Sequence, residues 1–333
     1  MKFGIVGAGR IGRVHAQSIQ QAISGSSVVA ITDVIKKSAE TAAAEFGIPK
    51  VYDSYEDLVK DPEVDAVLVC SSTDTHATVA IAAANAKKHV FCEKPVDLSV
   101  EKILAVKEAV NKNGVKLQVG FNRRFDHNFS RIKELSDSGE LGKIEMIKIT
   151  SRDPAPPPIE YVKVSGGIFT DMTIHDFDMA CFQAGCPVTE VYAKGAVLVD
   201  KAIGEAGDID TALITLTFEN GVIGLIDNSR RAAYGYDQRL EVFGSKGAAV
   251  AENDKPTTVT VLTEKTVSSD KPLYFFLERY MKSFTDEIKA FIDSVENNKP
   301  TLVDIDDGLR PILIAQAAKK SLDENRPVKV EKF

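Results

Sequence analysis

The chain contains no run of about 18 apolar residues, so no transmembrane helix and no membrane partner are expected. It has only four cysteines, Cys70, Cys92, Cys181 and Cys186. None forms a C-x-x-C pair or stands at zinc-finger spacing from a histidine, which excludes a thiolate metal site. Cys70 and Cys92 lie in apolar runs and read as buried small hydrophobes, and no Cys181–Cys186 disulfide is expected. Excess basic charge is also lacking: Lys and Arg number 41 against 48 Asp and Glu, for a net charge of −7. That argues against broad binding to a phosphate backbone, so no nucleic-acid partner is expected. Arg123-Arg124 and Arg230-Arg231 have no interleaved aromatics and should instead pair with carboxylates or hold substrate. There is no repeat of solenoid period. The N-terminus runs straight into a strand without the pattern of a secretory leader, so a reducing cytoplasm is expected.

What is present is an ordinary globular composition, 44% hydrophobic and 27% charged over 333 residues. That length favours two domains. In the first 120 residues strands and helices alternate. Strands are read at 3–6, 28–31, 66–70, 90–92 and 116–119, and helices at 10–22, 36–46, 75–86 and 101–112. Alternation implies parallel pairing through right-handed crossovers, a doubly wound α/β domain over residues 1–121. From 122 to 333 the pattern changes to helices near 128–136 and 170–184, a series of strands between 144 and 262, and two closing helices at 279–295 and 306–323. This is an α+β domain with a mostly antiparallel sheet. Asn220-Gly221 marks a hairpin within it. The prolines between Asp153 and Pro158 forbid a central strand there.

Gly7-Ala8-Gly9-Arg10-Ile11-Gly12 is a G-x-G-x-x-G that follows the first strand and opens a helix. Gly7 allows the tight turn, Gly9 lets the backbone approach a pyrophosphate, and Gly12 lets the helix pack on the strand. The helix N-terminus offers N–H groups and a positive dipole end to the anion. Asp33 lies twenty-one positions after Gly12, at the end of the second strand. A carboxylate there accepts hydrogen bonds from both ribose hydroxyls and repels the extra phosphate of NADP, so NAD is favoured. Lys36 and Lys37 follow closely and partly offset that repulsion.

Val90-Phe91-Cys92-Glu93-Lys94-Pro95 places two charges and a proline at the carboxyl end of an apolar strand, the edge where open α/β sheets bind ligands. With the glycine loop and Asp171-Met172-Thr173-Ile174-His175-Asp176-Phe177-Asp178, this segment resembles the Gfo/Idh/MocA oxidoreductase family along essentially the whole chain. Gln118 to Asp126 and Tyr234-Gly235-Tyr236-Asp237 resemble its inositol-oxidising members. The resemblance implies NAD-dependent oxidation of a cyclitol secondary alcohol, foremost myo-inositol to 2-keto-myo-inositol, by a homotetramer. It implies Lys94, Asp171 and His175 as the catalytic set. It implies Arg10, Ile11, Ser71, Thr73, His76, Glu93 and Lys94, with the three glycines and Asp33, as cofactor contacts. It implies Arg123, Asp153 and Tyr236 beside the catalytic set as substrate contacts. Asp153 stands where related enzymes are expected to carry asparagine, which bears on the preferred stereoisomer.

The chemistry suits these residue types. Histidine takes the hydroxyl proton near neutral pH. A lysine ammonium stabilises the developing alkoxide, which makes a metal redundant, and none is expected. Asp171, four positions before His175 on one expected helix, would orient it. Scyllo-inositol, another polyol or an aldose as substrate uses the same residues. A non-enzymatic NAD-binding sensor has no need of the catalytic set.

Overall fold

In the computed structural model, which describes residues 1–332, the chain divides into two compact units. One comprises Met1–Phe125 and Met281–Leu309, the other Asp126–Tyr280 and the residues from Arg310 onward.

The first unit is built on β1 (Lys2–Val6), β2 (Ser27–Thr32), β3 (Lys50–Tyr52), β4 (Ala66–Val69), β5 (His89–Glu93) and β6 (Leu117–Gly120). All pair in parallel, in the order β3-β2-β1-β4-β5-β6. The expected doubly wound sheet is therefore present. Its order reverses between β1 and β4, where sheets of this kind bind ligands beyond the carboxyl ends of the strands. β3 was not legible in the sequence: three half-buried edge residues carry no periodicity. Phe3, Ile5, Val28, Ile31, Leu68 and Phe91 form the core, and Ile288, Phe291 and Ile292 complete it. The Phe291 ring lies 6.5 Å from Phe3 and 5.9 Å from Phe91. The late segment thus returns to the first unit because the apolar stripe of helix Phe276–Glu296 supplies rings that its sheet lacks. A single cut after residue 121 does not express this return.

The second unit holds β7 (Ile144–Arg152), β8 (Val188–Ala196), β9 (Thr211–Phe218), β10 (Ile223–Ser229), β11 (Asp237–Gly244) and β12 (Gly247–Ala251). A separate small hairpin joins β13 (Thr260–Leu262) and β14 (Val267–Ser269), and β15 (Val328–Lys329) closes the main sheet. The main sheet runs β12-β11-β7-β10-β9-β8-β15. Only β7 and β10 pair in parallel, so it is mostly antiparallel as expected. β9 and β10 form the hairpin at Asn220-Gly221, where Gly221 takes φ +87°. Phe129 and Phe177, from helices His127–Asp137 and Ile174–Ala184, pack with Ile149, Ile214 and Val242 of the sheet.

One expectation fails. The helix read over 170–184 is two helices, Ile168–Asp171 and Ile174–Ala184. The first closes with the Thr173 N–H donating back to Ile168 O at 2.9 Å, a wide terminal turn. The buried Thr173 hydroxyl then donates to Asn228 Oδ1 at 2.6 Å. Asp171 therefore ends one helix and His175 lies in the first turn of the next, so the two do not share one continuous helix. All four cysteines are free. Among the described residues no helix is long and apolar enough to cross a membrane.

Candidate active site

In the first unit the glycine loop connects β1 to helix Arg10–Ala22. Gly7 takes φ +105°, and a Cβ there would lie 2.4 Å from Cys70 O. A Cβ on Gly12 would stand 1.9 Å from Gly7 O, so the helix reaches the strand only without one. Around Gly9 a Cβ would meet nothing within 4 Å. Gly9 is thus not required by packing and leaves open space at the helix N-terminus, whose N-cap has no side-chain hydrogen bond. That is the arrangement a pyrophosphate needs. Arg10 and Ile11 form the first turn of that helix.

Asp33 follows β2 and is tied to the loop: Oδ2 accepts from the Ala8 N–H at 2.7 Å and Oδ1 from Ile35 N–H at 2.8 Å. A carboxylate has about four lone-pair sites, so acceptor capacity remains for a ribose. Lys36 donates to Asp53 at 2.6 Å, which draws its ammonium away from the role of answering a 2′-phosphate.

After β4, Ser71 Oγ and Thr75 Oγ1 are 2.7 Å apart, and Thr73 opens helix Thr73–Asn85. His76 is buried with Nδ1 2.8 Å from Pro95 O and Nε2 3.0 Å from Ser71 O. It ties together the ends of β4 and β5, so both ring nitrogens are engaged by main chain and not turned to a ligand. Glu93, placed among the cofactor contacts by sequence, turns inward: its Oε1 lies 2.7 Å from His15 Nε2. Lys94 follows at the strand end, half-buried, ahead of a cis bond to Pro95. Arg123 is buried in the short turn Asn122–Phe125. Its neighbour Arg124 pairs with both oxygens of Asp307, as expected of a carboxylate partner.

In the second unit Asp171 is fixed from two sides. Tyr161 Oη donates to Oδ1 at 2.8 Å and Arg230 Nη1 to Oδ2 at 3.2 Å. Arg230 is 1% exposed and also lies 3.7 Å from Asp208. His175 sits in the first turn of helix Ile174–Ala184. That turn is anchored by the buried Asp176, which accepts from Ser151 Oγ at 2.6 Å and from Asn228 Nδ2 at 2.8 Å. Asn228 in turn accepts from Thr173, so β7 and β10 hold the residues on both sides of His175. Asp178 shares the helix but is buried.

Asp153 main chain bonds Ser229 O at 2.9 Å and Ala232 N–H at 2.7 Å. Tyr236 is 7% exposed, its ring 6.0 Å from Tyr280 and nearly perpendicular to it. The next residue, Asp237, is fully buried; burial alone would push its acid up, but donors from Arg239, Tyr234 and Asn253 outweigh this and hold it below the usual carboxylate range. The charge is thereby kept, and it pins the Tyr236 segment to β11.

Sequence reasoning missed Tyr161, Ser151 and Asn228, and gave Asp176 no role beyond its place in the Asp171–Asp178 segment. Asn228 carries no local signal, because its partners lie 52 and 55 positions away. Arg230 was legible as a carboxylate partner, but not as the one that holds Asp171.

Residues 1–121 match the profile of an oxidoreductase family with an NAD-binding Rossmann fold, and residues 129–250 match the GFO/IDH/MocA C-terminal domain. The chain is 51% identical over 331 residues to a myo-inositol 2-dehydrogenase of Thermotoga maritima, covering 99% of each chain. It is 44% identical to an inositol 2-dehydrogenase of Rhizobium meliloti, again over 99% of each. A crystal structure of scyllo-inositol dehydrogenase from Lactobacillus casei, with NAD(H) and scyllo-inositol bound, superposes with a TM-score of 0.93 at 32% identity, covering 99% of each chain.

Proposed function

Because the chain belongs to the Gfo/Idh/MocA oxidoreductase family, we propose that it oxidises a secondary hydroxyl of a cyclitol with NAD, foremost myo-inositol to 2-keto-myo-inositol. The observation that carries this reading is the 51% identity, end to end, with a myo-inositol 2-dehydrogenase. Scyllo-inositol is the second reading, favoured by the 0.93 TM-score with an enzyme holding that ligand. Turnover of NAD against a panel of inositols, other polyols and aldoses tests both. Absence of turnover with every member would leave an NAD-binding sensor.

The open Gly9 and the free acceptor capacity of Asp33 fit NAD. When bound, the cofactor supplies the electron-pair acceptor, at its nicotinamide. The chain's residues do the rest. His175 takes the hydroxyl proton. Lys94 stabilises the negative charge that develops on that oxygen. Asp171, held by Arg230 and Tyr161, orients substrate and base. Arg123, Asp153 and Tyr236 contact further hydroxyls. Gly7, Gly9, Arg10, Ile11, Gly12, Asp33, Ser71 and Thr73 hold the dinucleotide, with His76 and Glu93 supporting from behind the strand ends. The NAD half lies in residues 1–121, with Met281–Leu309 packed into the same unit, and the substrate half in the remainder of 122–333.

Replacing Asp33 with serine should weaken NAD by about ten- to a hundred-fold, since a charged hydrogen-bond partner is lost. It should also admit NADP, because the repulsion goes with the charge. Titration of both cofactors into wild type and variant checks this, and a wild-type preference for NADP would remove Asp33 from the ribose.

The sheet of the second unit carries Ile223, Met146 and Phe243 in register across β10, β7 and β11, each 42–50% exposed. Leu213 and Val250 are also exposed. Such an apolar row on one sheet face fits burial against a second copy of the chain in a homotetramer. Light scattering at micromolar concentration should give the tetramer mass; a monomer would exclude it. Four free thiols, three of them buried, fit a reducing compartment such as the cytoplasm.

A further inference from the structure

Behind the strand end that carries Lys94 lies a cluster that the chemistry above does not use. His15, Glu93 and Glu287 are 0%, 7% and 0% exposed, and each offers an atom within 4.8 Å of the other two. His15 and Glu93 are in contact at 2.7 Å. Both carboxyl oxygens of Glu287, and Nδ1 of His15, are buried and have no hydrogen-bond partner among the described residues. The rings of Phe91 and Phe284 meet the imidazole edge-on at 5.1 and 5.8 Å. Gln118 holds the main chain at Glu287, donating to its carbonyl at 2.8 Å. Thr285 reaches Ser18 at 3.1 Å and fixes helix Phe276–Glu296 against helix Arg10–Ala22.

We propose that Glu287 holds a proton against the buried His15–Glu93 pair and so acts as a positioning residue for Lys94, which follows Glu93 directly in the chain. The functional half of this proposal rests on the reading of Lys94 given above.

Three observations carry it. An ionised Glu287 would be a buried charge with no donor and with a second carboxyl beside it, the least favourable state open to it. Burial, then the neighbouring Glu93, push its acid well above the carboxylate range. The other titratable group that faces both acids, the Cys70 thiol, is pushed up by burial and by the same two carboxyls, so it supplies no positive charge to offset them. The spacing also points to a proton in place of a cation. Two donors about 2.1 Å from one metal ion at tetrahedral angles stand about 3.4 Å apart. The 2.7 Å between His15 and Glu93 is instead a hydrogen-bond length.

A neutral Glu287 has an acceptor close by in the cluster, on Glu93 within 4.8 Å, which a small rotation or one water would bridge. The Glu93 carboxyl packs over Gly120, 3.0 Å from where a Cβ there would be, so it occupies space that only glycine leaves. With the proton in place, the end of β5 is held without charge repulsion. Without it, Glu93 and Glu287 repel, and the strain is relieved at the residue that follows.

The test uses the full chain with NAD. In the infrared, wild type should show the carbonyl stretch of a protonated carboxyl group, and Glu287→Gln should lack it. Glu287→Leu should lower kcat about ten- to a hundred-fold, the range for groups that orient a reactive residue from behind, while the KM for NAD is unchanged. Glu287→Gln keeps a neutral donor of the same shape and should recover most of that loss. Should Glu287→Leu not fold, the wild-type band and the Glu287→Gln kinetics decide. A missing band overturns the proposal, as does a metal ion retained at one per chain through dialysis against a chelator, or a Glu287→Gln variant with kcat as low as the leucine variant. Lys94→Ala is measured alongside. If it turns over normally, the reading of Lys94 fails while the band still reports on the proton.

Discussion

Replacing His175 with alanine should lower kcat for cyclitol oxidation by about 10²–10⁴-fold, the usual worth of a positioned general base. NAD affinity should be essentially unchanged, because every proposed cofactor contact lies in residues 1–121. The wild-type rate should rise with pH, since only the neutral ring accepts the hydroxyl proton. The variant should lose that dependence. The anchoring of Thr173 and Asp176 on both sides of His175 makes the interpretation clean, because removing the imidazole leaves the Ser151–Asp176–Asn228 bonds intact. Near-normal turnover with an unchanged pH profile would take His175 out of the mechanism.

Replacing Lys94 with alanine should lower kcat by about 10²–10³-fold, the range for losing one group that stabilises a developing oxyanion. Lys94→Arg should not restore it. A planar guanidinium spreads over a fork the charge that a compact ammonium concentrates at one point. In the His175→Ala background the loss from Lys94→Ala should shrink if, as proposed, the two groups serve the same oxygen, because effects of groups that act as a unit are not additive. Fully additive losses in that double variant would separate them into independent roles.

The first unit was legible because strands buried on both faces read as apolar runs and two of its helices, Lys36–Phe46 and Val100–Asn113, end at glycines that take the left-handed conformation, Gly47 and Gly114. The glycine loop was legible for the same steric reasons that the structure displays at Gly7 and Gly12. What could not be read depends on distant partners. The break before Ile174 involves Asn228, which arrives on β10. The inward turn of Glu93 depends on His15, 78 positions earlier, and a charge at a strand end gives no sign of which way it faces. Asp171 looked aligned with His175 by helical spacing. Its bonds to Arg230 and Tyr161, 59 and 10 positions away, carry no such signal.

The return of Met281–Leu309 to the first unit has a consequence for biosynthesis. A ribosome makes β1 to β6 early, yet Ile288, Phe291 and Ile292, which close that sheet's core, come only after the whole second unit up to Tyr280. At roughly 5–20 residues per second, residues 126–280 take about 8–30 s to translate. Throughout that interval the Phe3 and Phe91 face waits without its covering rings. The nascent chain cannot finish its N-terminal unit first, as multidomain chains commonly do, and is a natural client for chaperones that shield apolar surface until synthesis is nearly over.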